Sequence, residues 1–261
     1  MSTDINTPET VTGNEALTVG EKLGSFFKEL SVGIDSFNAK TFNKSIHKLD
    51  GIEIWNKLGA ANNYFDVSTK HIPTPVFFNP NKVTFADFVT YVLGAVPILK
   101  LIDGQADMVY SGLKSLAATG KMPFSISQLD TSYQINEARG RFKDVMEDTR
   151  VYTRAVNEVY PNFSGAYALM KQFNDVTDSL KSRDVELAAK RGDQVIYILK
   201  LLKPKIDASQ VILTPREIEL VNSTVRNLID NINFTGLMLS QLSELTAVLK
   251  LQVKEAVKLM P

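Results

Sequence analysis

His47 and His71 are the only imidazoles in the chain, and there is no cysteine at all. A protein metal site draws on histidines and carboxylates at helical or loop spacing, such as His-x-x-x-His or Glu-x-x-His. Neither histidine has such a partner, so no metal site is expected. Without thiols there is no disulfide, no thiolate nucleophile and no thiolate ligand set. Glu147 and Asp148 form a carboxylate pair, but adjacent residues on a helix point in different directions and do not converge on one reacting atom. No phosphate-cradling Gly-x-x-x-x-Gly-Lys-Ser/Thr loop, no Gly-x-Gly-x-x-Gly and no Gly-x-Ser-x-Gly elbow is present. These residues predict a non-enzymatic protein with no catalytic, cofactor-binding or metal-binding positions.

Charge narrows the partners. The chain carries 29 basic and 29 acidic residues over 261 positions, so no net field draws it to nucleic acid or to an anionic membrane. Between Glu137 and Glu158 charges are dense, but Arg139, Arg141, Lys143, Arg150 and Arg154 are matched by Glu137, Asp144, Glu147, Asp148 and Glu158. Alternating signs suit a solvated helix face, whereas a phosphate-tracking stripe needs one sign. Protein is the expected partner.

The elements that carry these residues are helices. The longest runs from Thr214 to Pro261, where Thr214 and Glu217 form a capping box around Pro215 at the first helical position. Steps of three and four residues then pass through Ile218, Val221, Val225, Leu228, Ile232, Thr235, Leu239, Leu242, Thr246, Leu249, Val253, Ala256 and Met260, eleven of them apolar. A seam of that length predicts a helix of about 45 residues, roughly 70 Å at about 1.5 Å per residue. Its apolar members Ile218, Val221, Val225, Leu228, Ile232, Leu239, Leu242, Leu249 and Val253 form the expected interaction seam. Phe234, Leu237, Met238, Leu245, Val248, Leu251 and Val257 lie off it, which makes the face too wide for a two-stranded zipper. The helix is therefore expected to have several neighbours, from its own chain or from copies.

The rest follows the same period. Residues 1–17 read as a flexible tail, without the basic start and apolar run of a secretion signal. Thr18 and Glu21 resemble a capping box opening a helix through Leu23, Phe27, Leu30 and Ile34 to about Lys48. Asp50 to Tyr64 is a shorter helix anchored in the core by Trp55, the only tryptophan. Pro73, Pro75 and Pro80 make residues 66–83 a connecting loop, pinned by Val76, Phe77 and Phe78, and a sub-boundary within one elongated domain spanning 18–261. From Phe88 to Leu99 there are twelve uncharged residues, too few for a bilayer span of about twenty. Pro97 predicts a kink, and Gly94 allows a close neighbour. A second seam, Ile135, Ala138, Phe142, Val145, Thr149, Tyr152, Val156 and Val159, predicts one helix ended by Pro161. Further helices are expected over Ser164–Leu180 and from Ser182 to Pro204, with Gly192 on the seam of the latter. The fold class is thus all-α, an elongated helical bundle with long coiled-coil-like helices.

In texture the chain resembles the helical virion proteins of large tailed bacteriophages, including those packed inside heads. Gly13-Asn14-Glu15, followed by Ala16, is similar to the sites at which phage head proteases remove a short propeptide. The resemblance implies a structural, self-associating head component with Glu15 as its processing position, located in the virion. A second resemblance, to long-helix pore-forming toxins, would make Phe88–Leu116 an apolar hairpin bent near Gly104; a membrane is a partner only under that alternative.

Overall fold

The computed structural model describes residues 46–61, 70–94, 96–123, 133–145, 152–180 and 182–259. The expected tail, Glu15, the helix from Thr18 and the Glu147–Asp148 pair lie outside them. Among the described residues the chain forms an elongated all-α bundle. Its elements are α1 (Glu53–Ala61), β1 (His71–Pro73), α2 (Phe85–Gly94), α3 (Val96–Thr119), α4 (Tyr133–Val145), β2 (Thr153–Ala155), α5 (Val156–Val159), α6 (Phe163–Ser179), α7 (Ser182–Asp207) and α8 (Pro215–Val257).

Helix α8 runs 43 residues, about 65 Å at ~1.5 Å per residue. It begins where the capping box places it. The Thr214 hydroxyl accepts from the Glu217 N–H at 3.3 Å, and the Glu217 carboxylate accepts from the Thr214 N–H at 2.8 Å. The Thr214 N–H and the Thr214 hydroxyl, which also donates to that carboxylate at 2.8 Å, hold the Glu217 carboxyl below its ordinary range. Replacing Thr214 by alanine is expected to cost about 1 kcal/mol in urea denaturation at neutral pH. A lowered carboxyl contributes stability above its ordinary pKa and loses it as pH falls through the folded value. The penalty of Thr214→Ala should therefore shrink on acidification, and a penalty that stays constant would contradict the capping geometry.

Two hydrophobic cores lie along α8. Near its start, Val221, Val225, Leu228 and Ile232 pack with Ala106, Val109, Leu113 and Leu116 of α3 and with Val195, Ile198, Leu199 and Leu202 of α7. Toward its end, Phe234, Met238, Leu239, Leu242, Leu245, Leu249 and Val253 pack with α1, α2, α4, α6 and the loop before α2. Here Trp55 is fully buried, with Tyr160 and Phe163 at ring-centroid distances of 5.5 and 6.1 Å, and Phe78 sits edge-on to Phe85 at 5.1 Å. The Pro-rich loop is plugged into this core by Phe78, as its apolar composition predicts.

The second seam does not form one helix. Its first half is α4, but Thr153–Ala155 forms a strand that pairs antiparallel with His71–Pro73, Ile72 opposite Arg154, and only then does the short α5 follow. Ile135, Phe142, Val145, Val156 and Val159 are all buried as the periodicity requires, while Tyr152 is 65% exposed. Tyr152 and Thr153 are types that favour extended backbone. Residues 71–73, which prolines keep from helix, offer them a ladder that a local helix cannot.

Local geometry settles four further positions. Helix α7 passes Pro204 and ends at Asp207, because a proline in the last turn removes one donor while the carbonyls there accept from Ala208, Gln210 and Val211. It also runs unbroken through Gly192. Gly94 has no close neighbour, since a Cβ there would meet nothing within 4 Å. Asn162 caps α6, its side chain accepting from the Gly165 N–H at 2.7 Å.

Candidate functional site

The seam residues fall inside the chain. Val221, Val225, Leu228 and Ile232 belong to the first core and Leu239, Leu242, Leu249 and Val253 to the second. Ile218 is half-buried and lines a small apolar cavity of about 20 Å³ with Leu116, Leu199, Leu202, Ile206, Leu213 and Val221. The seam's neighbours are therefore the chain's own helices. Of the residues off the seam, Phe234, Met238, Leu245 and Val248 are buried too, while Leu237, Leu251 and Val257 are about half exposed. The wide apolar face of α8 follows from its having partners on several sides.

Polar groups at the junction of the two cores are the feature that periodicity alone does not reveal. Asn231 is completely buried in α8; its amide donates to the Gln105 side chain of α3 at 2.6 Å, and its carbonyl oxygen accepts from Arg139 of α4 at 3.0 Å. Arg139 also reaches Asp230 at 3.5 Å. It thus spans the helices and is not confined to a solvated face. Satisfied buried amides cost little, but they tolerate only one register between helices. A second polar link closes the far end, where Gln252, also fully buried, accepts from the Tyr160 hydroxyl and donates to the Pro73 carbonyl at 2.6 Å. The Asn174 amide likewise takes both backbone groups of Leu49, at 2.7 and 3.0 Å. The available signal was an Asn or Gln beside a seam position, as Asn231 stands beside Ile232 and Gln252 beside Val253.

Burial pushes the Tyr160 phenol well above its ordinary value. A raised pKa means that the unfolded chain releases this proton first, so the contribution is whole below the ordinary tyrosine value of about 10 and is lost as pH rises beyond it. Tyr160→Phe is expected to cost about 1–3 kcal/mol at neutral pH by orphaning Gln252. It should also flatten the alkaline loss of stability, by ~1.4 kcal/mol per pH unit. Urea denaturation of both chains at about pH 8 and about pH 11 tests this; parallel curves would refute it.

His47 and His71 are both exposed, one ahead of α1 and the other on β1. Among the described residues no three His, Asp or Glu side chains are placed to hold a metal ion. An open groove of about 420 Å³ runs between the segment ahead of α1 and α6, bordered by Lys48, Asp50, Glu53, Tyr167, Lys171 and Asp175. Its charges are mixed, and Lys48 is paired with Asp178 at 2.9 Å.

One helical stretch among the described residues, Phe85–Thr119, is long and apolar enough to cross a bilayer by length and composition. Of its most apolar window 41% is buried, and Leu99, Ile102, Ala106, Val109, Leu113 and Leu116 belong to the cores. A single such helix, part of it buried in the cores, is weak evidence for a span, and no clear transmembrane segment is present among the described residues. The bend that the toxin-like alternative places near Gly104 is not there. Gly104 stands in the middle of the unbroken α3, where the buried Ile102, Gln105 and Ala106 outweigh the ~1 kcal/mol helix penalty of one glycine.

Compared with known proteins, the chain matches no family model, no curated protein and no solved structure.

Proposed function

We propose that the chain is a non-enzymatic structural protein that acts through helix packing, a component of a bacteriophage head that associates with copies of itself and with other structural proteins. The observation that carries this reading is α8, a single 43-residue helix against which both cores are built. A continuous rod fixed along its length by buried apolar residues and polar links resists bending and sliding. Such stiffness serves a part that sets distances in an assembly. The balanced charge and the scattered histidines support the same class. The Gly13-Asn14-Glu15 motif adds the processing step, with Glu15 as the last residue removed.

Intact mass spectrometry of the protein from its native source tests the reading. The expected species begins at Ala16 and sediments with large particles. A full-length 29.0 kDa chain found only free of particles would contradict both the processing and the head assignment.

A further inference from the structure

The two ends of the α8 rod differ in charge and in shape. Beside its start, Ile212 is 80% exposed, the most exposed large apolar side chain among the described residues. It stands between buried Val211 and half-buried Leu213 on a loop that the chain holds fixed. Ser209 donates to the Ile206 carbonyl at 2.9 Å, Gln210 and Val211 donate to the Lys205 carbonyl at 2.8 and 3.2 Å, and the Thr214 capping box closes the loop. The turn after α3 lies alongside, where a Cβ on Gly120 would be 3.2 Å from the Gln210 carbonyl oxygen. Around this tip Lys203 is paired with Asp207, Lys205 donates to the Ala117 carbonyl, and Glu217 is held by Thr214. That leaves Lys114, Lys121, Lys200 and Arg216, all exposed and without an ion-pair partner among the described residues, against Glu219. The tip is an apolar knob in a basic surround.

The open groove of about 420 Å³ beside α1 has the opposite balance. Lys48 is taken by Asp178, which leaves Asp50, Glu53 and Asp175 on its border against Lys171. The hydrogen bond to Asp178, then the charges of Asp178, Asp175 and Asp50, hold the Lys48 ammonium above its ordinary value, so acids prevail around it. Leu49, Ile52 and Tyr167 add apolar lining. Gly51 on the same border lies against Val253, 3.6 Å from where its Cβ would stand. Val253 is about 57 Å along α8 from Pro215 at ~1.5 Å per residue. Ile212 therefore cannot reach the groove of its own chain.

We propose that Ile212 seats in this groove of a second copy of the chain, so that copies join tip to groove. The proposal rests on the self-association put forward above and names its two surfaces. The basic surround of the knob then faces Asp50, Glu53 and Asp175, and a loop already fixed loses little freedom on docking. Tip against tip would set like charges together. A contact between unlike surfaces repeats until it closes, and closure fills every tip and every groove. The smallest closed form is a reciprocal antiparallel pair.

Mixing two variants tests the contact. Ile212→Asp disables the tip, and Glu53→Lys combined with Asp175→Lys disables the groove. All three side chains are exposed in the single chain, and circular dichroism should report unchanged helicity. Each variant alone is expected to associate at least about tenfold more weakly than the wild type in sedimentation equilibrium at low salt. Lys121→Glu, which leaves the apolar knob intact, should weaken association in the same direction. An equimolar mixture of the tip and groove variants holds one sound tip and one sound groove, and should stop at twice 29.0 kDa. If the wild-type chain assembles and the variants assemble equally well, or if the mixture stays as monomeric as its components, this contact is wrong while self-association stands. A wild-type chain that is monomeric at every concentration overturns both.

Discussion

Leu242→Asp is expected to leave the chain unfolded at room temperature. Leu242 is 2% exposed and lies on α8 within the second core, beside Leu239 at 1%. Aspartate there removes the transfer free energy of a buried leucine, about 1.5–3 kcal/mol, and places an unpaired carboxylate among apolar side chains, which adds several more. Together these approach the whole stability of an ordinary domain, about 5–15 kcal/mol. Leu239→Asp should behave alike. Leu237→Asp and Leu251→Asp supply the contrast, because both leucines are 48% exposed on the same helix. Each should fall within about 0.5 kcal/mol of the parent. Far-ultraviolet circular dichroism and calorimetry distinguish the pairs, and a folded Leu242→Asp chain with an unchanged melting temperature would refute the internal placement of the seam.

Trp55→Ala is expected to cost about 3–5 kcal/mol, the range for emptying a large aromatic site. Trp55 is fully buried where α1, Tyr160 and the start of α6 meet. Its loss removes the shared face of Tyr160 and Phe163 and opens a void that rigid neighbours cannot fill. Trp55→Phe should recover more than half of the loss, since a ring in the same place keeps much of the packing. Urea denaturation followed by circular dichroism gives both values. Losses below about 1 kcal/mol for the alanine variant would place the tryptophan outside the cooperative core.

Local physics was legible in the sequence where a single element decides it. The start of α8 was readable because Thr214, Pro215 and Glu217 complete their hydrogen bonds within one turn. The burial of Trp55 and Phe78 was readable because large apolar rings near helices and prolines have nowhere else to go. Pairing between distant segments was not. The strand at Thr153–Ala155 exists because residues 71–73 lie against it, and a helical seam that continues to Val159 shows no trace of that partner. The polar layer was missed for a related reason. Asn231, Gln105 and Arg139 are unremarkable in their own helices and become a layer only once three helices meet. Periodicity also could not say whose surface covers the terminal seam. The same row of leucines fits an interface between copies or a core, and here the chain's own α1 to α7 supply the cover.

The most direct measurement of the assembly reading is the solution mass of the purified chain by light scattering across a concentration series. A mass that rises to a defined multiple of 29.0 kDa at high micromolar protein, with helicity unchanged, is the expected result. A mass fixed at 29.0 kDa at every concentration would contradict it.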